Sequence, residues 1–225
     1  MLPSASWNAE AHAPPSLELA FASGFAYAPR GSTPAATLSR KLGALIKDGD
    51  PYWIGACARR VGRACQGAEP DIAAFFDPND LLVPVPGCRA GCPVAQSVTR
   101  QLAERLVASG AGAAVWCGLA RVRAVVKSAT AACGRRPSLH TQWASLRVVE
   151  RAPVHAPAQF LLIDDVVTRG TTLLAAAMRL REAYPHAPIR GFALLRTLGG
   201  TEIERLWLPC RGLIRCRRQA ALRLP

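Results

Sequence analysis

LLIDDVVTRGTT, Leu161 to Thr172, passes from an unbroken apolar run into two adjacent carboxylates and then a loop rich in Thr and Gly. An apolar run without alternation suits a strand buried on both faces, the habit of parallel sheets. Asp164 and Asp165 fall where that strand leaves the core. Side chains alternate along a strand, so the two carboxylates share a face only if the chain turns there. Carboxylates accept hydrogen bonds from sugar hydroxyls and hold Mg2+ directly or through water. Thr168-Arg169-Gly170-Thr171-Thr172 then opens a helix. Amides at a helix start, with Thr hydroxyls and a permissive Gly, cradle an anion. Acceptors for a ribose and donors for a phosphate lie a few residues apart, a pattern suited to ribose 5-phosphate.

Working outward, strands alternate with helices. Residues 16–28, 80–87, 113–122, 160–167 and 189–198 read as strands, the last as the closing one. Residues 37–49, 54–65, 92–110 and 171–184 carry helical spacing, and Gly49 and Gly110 mark two of the helix ends. Residues 121–150 are polar, basic and turn-rich. This alternation predicts a parallel sheet flanked by helices, with ligands in the crevice beyond the carboxyl ends of the strands. PVPGCRAG (Pro84–Gly91) and DDVVTRGTT (Asp164–Thr172) both fall at such ends. The bland readings are a proline turn for the first, and a solvated strand end with a Thr helix cap for the second. A nucleotide-hydrolase metal site is the other reading of the acid pair, but no G-x-x-x-x-G-K-[ST] loop accompanies it.

The chain has 225 residues, half of them hydrophobic, enough for one globular core. No apolar run is long enough to span a bilayer, and residues 1–15 lack the regions of a signal peptide, so a soluble cytoplasmic protein is expected. The formal charge of +13 is lopsided: residues 113–225 hold 18 Lys+Arg against 6 Asp+Glu, and residues 1–112 hold 10 against 9. Such clustering suits an anionic partner, nucleic acid or a polyphosphate; the 25 Arg against 3 Lys also fit a codon bias. The eight cysteines form no C-x-x-C pair, and zinc spacing fails. His140 reads as a surface residue, and Lys47 reaches the site or faces solvent.

The loop resembles the PRPP-binding signature of type I phosphoribosyltransferases, a hydrophobic strand leading to Asp-Asp-Val-x-Thr-x-Gly-x-Thr. Asp164, Asp165, Val166, Thr168, Gly170 and Thr172 match, and Arg169 stands where Thr is more usual. The resemblance extends over residues 81–198. VPVPGCRAG (Val83–Gly91) is similar to the pyrophosphate loop of the ComF-like branch, though the N-terminal zinc-ribbon cysteines of ComF proteins are absent. It implies a type I phosphoribosyltransferase-like parallel sheet flanked by helices, with a basic hood or flexible loop over about 121–150. The expected division is an N-terminal strand and helix extension, 1–80, a core of 81–198, and a basic C-terminal tail, 199–225.

What the resemblance implies is transfer of phosphoribosyl from PRPP to a nitrogen acceptor, an unidentified nucleobase or amine, with release of pyrophosphate. PRPP would contact Val85, Pro86, Gly87 and Arg89, and then Asp164, Asp165, Val166, Val167, Thr168, Arg169, Gly170, Thr171 and Thr172. Asp164 and Asp165 would hold Mg2+, directly or through water. Lys127, Arg135 and Arg136 on the hood would stabilise the departing pyrophosphate, although a like-charged run is usually a solvated face. Arg121, Arg123 and Arg147 belong to the same run. The alternative reading is a non-catalytic ComF-like PRPP sensor or a DNA-associated protein of uptake or processing. Its basic tail, 211–225, is otherwise a solvated terminus. A homodimer is compatible with either reading; a membrane partner is not expected.

Overall fold

The computed structural model describes residues 18–91, 97–126, 136–153, 159–199, 202–217 and 220–225. Seven strands form one sheet, in the order β3-β2-β6-β7-β1-β8-β9. β2 (Leu81–Pro84), β3 (Ala114–Val115), β6 (Phe160–Val167), β7 (Ile189–Thr197) and β1 (Glu18–Tyr27) run parallel; β8 (Trp207–Arg217) and β9 (Ala220–Leu224) close one edge antiparallel. The expected α/β class, a mostly parallel sheet flanked by helices, is what the chain forms.

Both faces of the sheet are covered. One packs Phe21, Val83, Phe160 and Leu162 against α6 (Thr171–Ala183). The other packs Leu82, Leu161, Ile163 and Phe192 against α1 (Pro34–Lys47), α2 (Pro51–Arg63) and α4 (Val98–Ala108). Adjacent residues of β6 therefore serve opposite layers, which is why its sequence shows no polar alternation. At the amino end of the sheet, Arg190 pairs with the fully buried Asp80, tying the starts of β7 and β2 across β6. Burial pushes the Asp80 carboxyl up, and the Asp77 amide and Arg190 oppose that shift.

Four expectations need correction. The strand read over 113–122 breaks: β3 ends at Val115, and β4 (Leu119–Arg121) leaves the sheet to pair antiparallel with β5 (Leu146–Val148). Trp116 sits at the break. Its buried ring stacks towards Phe160 and Tyr184 and lies over Gly118, where any Cβ would sit 2.1 Å from the ring. Residues 139–148 of the hood are regular rather than turn-rich, since α5 (Leu139–Ala144) leads into β5. β7 does not close the sheet; it lies inside, beside β1. β8 and β9, expected within a basic tail, pair antiparallel with each other, and β8 pairs with β1, with Leu19 opposite Ile214 and Ala22 opposite Arg211. All three segments of the expected division thus contribute strands to one sheet.

Candidate functional site

The site grows from the pairing of β2 with β6. Pro84 lies opposite Ile163, so the loop leaving β2 starts beside the part of β6 that carries Asp164 and Asp165. The Val85 amide still donates to the Ile163 carbonyl at 2.9 Å, and beyond it the chain diverges. Between the loops opens a cleft of about 750 Å³. Val85, Pro86 and Gly87 line it from one side and Asp164 through Thr172 from the other. Arg136, Leu139 and Gln142 of the hood also reach it.

The two carboxylates do share this cleft, although β6 keeps its strand pairing through Val167. Each turns back on the chain: an Asp164 oxygen accepts from the Asp165 amide at 3.0 Å, and an Asp165 oxygen from the Val166 amide at 2.8 Å. Burial, and then the charge and side-chain contact of Asp165, raise the Asp164 carboxyl well above the ordinary carboxylate range; the Arg121 guanidinium opposes this. Two oxygen-donor carboxylates in contact, one of them costly to ionise, fit a hard divalent cation that is shared with ligand phosphates. Among the described residues no group of three or more His, Cys, Asp or Glu gathers as a metal site. The described cysteines supply none, and burial pushes the Cys57 thiol up to about 12 and Cys65 to about 11.

The start of α6 departs from the starts of α1, α2, α4 and α5. Side chains of Thr33, Asp50, Ser97 and Ser138 cap α1, α2, α4 and α5. Helix α6 instead begins on Gly170, at φ 81°, with no side-chain cap, so Thr cannot be called its cap. The first-turn amides are left for another acceptor. A Cβ on Gly170 would sit 2.5 Å from Ile214 Cδ1, so β8 is built against this glycine. Thr168 and Thr197 hydroxyls meet at 3.1 Å across the ends of β6 and β7.

The opposite loop is held by Arg121. Only 5% exposed, it donates to the Pro86 carbonyl at 3.2 Å, and also to the Gly87 carbonyl and the Ser145 hydroxyl. Thr99 of α4 donates to the Val85 carbonyl at 3.0 Å, and the Val125 amide to the Cys88 carbonyl at 3.0 Å. Arg121 was read only as one charge of the basic run. Its partners lie more than twenty residues away, and no local pattern signals them.

The remaining site expectations divide. Arg136 is exposed at the cleft; Lys127 and Arg135 lie outside the described residues. Arg89 is exposed and is not among the lining residues, which end at Cys88 on this loop. Lys47 does reach the cleft, with its ammonium 5.5 Å from the Tyr27 ring centre. His140 is exposed and stacks at 5.6 Å on Trp143. Ala220 and Ala221 of β9 line the cleft and were not foreseen.

No protein-family model matches the chain, and no curated protein matches it. Among solved structures, it is similar to a hypoxanthine phosphoribosyltransferase from Staphylococcus aureus, at 12% identity and a TM-score of 0.34, over 67% of this chain and 70% of that one. Glutamine and glutamic acid mutants from an analysis of an invariant aspartic acid in HPRTs match at 16% identity, over 72% of this chain and 73% of theirs. Their TM-scores are 0.34 and 0.33. Likenesses at this level assign no family, and the functional reading rests on the cleft itself. No helix among the described residues is long and apolar enough to cross a membrane.

Proposed function

We propose that the cleft binds PRPP and transfers its phosphoribosyl group to a nitrogen nucleophile, releasing pyrophosphate. One observation carries this reading: the Asp164–Asp165 pair and the uncapped start of α6 open into the same cleft as the loop Val85–Cys88. In this reading Asp164 and Asp165 accept from the ribose O2 and O3 hydroxyls. The amides and hydroxyls of residues 168–172 hold the 5-phosphate, and the loop from Val85 to Cys88 faces the pyrophosphate. The C1–O bond breaks as the N–C1 bond forms, and pyrophosphate leaves with the electron pair. The chain's contribution is positioning and charge stabilisation, with Arg136, and Lys127 and Arg135 from the hood sequence, facing the leaving group. Mg2+, held by the diphosphate and the acid pair, would neutralise the developing charge. The pyrophosphate-loop sequence favours the ComF-like branch.

The acid pair supplies the test. Changing Asp164 and Asp165 to Asn keeps their size and removes the charge that favours ribose hydroxyls and Mg2+. Each charged hydrogen bond lost costs roughly 1.5–3 kcal/mol, so PRPP affinity should fall by at least about tenfold while the fold survives. Calorimetry with PRPP and Mg2+ checks it; unchanged affinity would refute the site.

The second reading, a PRPP sensor or DNA-associated protein without turnover, is favoured by the concentration of positive charge in residues 113–225. PRPP turnover against a panel of bases, compared with salt-dependent binding of single-stranded DNA, separates the two.

A further inference from the structure

A second cavity, of about 540 Å³, adjoins the cleft behind the phosphate loop and shares Thr168, Arg169, Ala220 and Ala221 with it. Arg169, Arg217 and Arg223 line it, over a floor of Ala220, Ala221 and Leu222. Arg169 and Arg217 are exposed. Arg223 is fixed: its guanidinium donates to the Val167 carbonyl at 3.2 Å and the Thr197 carbonyl at 2.7 Å, clamping β6 to β7. None of the three takes part in an ion pair among the described residues. Arg196, opposite Val167 in the register, adds a fourth charge close by, and its Nε is buried without a hydrogen-bond partner. Burial, and then the nearness of Arg196, lower the proton affinity of Arg223. This is uncompensated positive charge around a concave space.

We propose that this cavity is a second anion site, adjoining the loop at 168–172 and sharing Thr168 and Arg169 with it, that takes a compact polyphosphate such as the diphosphate of a nucleotide. Three arginines match the charge of a diphosphate; the forks of Arg169 and Arg217 pair with adjacent phosphate oxygens in two-point fashion, and Arg223 adds charge while it holds the two carbonyls. The volume falls within the small-molecule range of about 300–1,000 Å³. Single-stranded nucleic acid is bound by stacking bases on aromatic rings, and no aromatic residue lines this cavity. The inference stands on charge and shape alone, whatever the neighbouring cleft binds.

Calorimetry at fixed ionic strength with ADP, AMP and inorganic tripolyphosphate tests it, with Arg217 as the probe because it clamps nothing. The wild-type chain should bind ADP and tripolyphosphate at least about tenfold tighter than AMP, since each added charge-assisted contact is worth that much. Arg217→Glu should erase the preference, Arg217→Lys should keep most of it, and PRPP binding should be unchanged in both. Equal affinity for ADP and AMP overturns the proposal, as does a preference that survives Arg217→Glu. Tighter binding of a twelve-residue oligothymidylate than of ADP, lost in Arg217→Glu, overturns it in favour of a nucleic-acid strand. A wild-type chain that keeps the ADP preference but fails to bind PRPP supports this site and removes the phosphoribosyl reading.

Discussion

Asp164 sets a pH signature that can be read without any ligand. Its folded carboxyl holds a proton more tightly than the unfolded chain does, through burial and then Asp165. The associated stability is fully present below the ordinary carboxylate value and is lost as pH rises through the raised folded value. Asp164→Asn removes that dependence, so the variant should melt higher than the wild type at neutral pH and lose the advantage on acidification. Thermal melts of both from pH 4 to 8 check this, and a pH-independent difference would sink it. Gly170 makes a second prediction at this scale. At φ 81°, with Ile214 Cδ1 2.5 Å from any Cβ, Gly170→Ala faces a strained backbone and a clash together. The backbone alone costs about 1–2 kcal/mol, so the melting temperature should fall and phosphate binding with it. Adding Ile214→Ala should recover the clash part only.

Among elements, the loop after β2 and the hood are one mechanical piece, because Arg121 donates to two loop carbonyls and to Ser145 beside α5. Arg121→Met would leave Pro86 and Gly87 carbonyls short of donors, and Lys cannot reproduce the fork. Both variants should weaken PRPP binding by about tenfold, at roughly 1–3 kcal/mol per unsatisfied buried group. They should also speed hydrogen exchange at residues 87 and 88; unchanged exchange would mean the loop holds itself. β6 and α6 were legible because their signals are local: an apolar run, an acid pair and a Gly at the turn. β4 was not, because an apolar run continues through Trp116 and Gly118 while the chain changes sheets. Helix α2 starts at Pro51, three residues before the apolar spacing that begins at Ile54, on an Asp50 cap that accepts from the amides of Tyr52 and Trp53.

For the whole molecule, α/β alternation and the meeting of two loops could be read because both depend on short-range order. The edge could not. Strand β8 is half-buried along most of its length, without the clean alternation that marks a strand, and its arginines read as solvent-facing. What makes it a strand is β1, at the other end of the chain. A chain ending at residue 206 would leave β1 with an open edge of ten residues beside an apolar core, and should aggregate where the full chain stays monodisperse. Light scattering of the two checks this. The position of β1 also governs the order of assembly. Phe21 lies opposite Gly191 on one side and Gly212 on the other, so both neighbours of β1 come from residues far along the chain. During synthesis β1 has no strand partner until β7 has been made, more than 160 residues later, and closing such distant pairs is slow. The centre of this sheet is therefore completed late, after translation has passed the cleft-forming loops it supports.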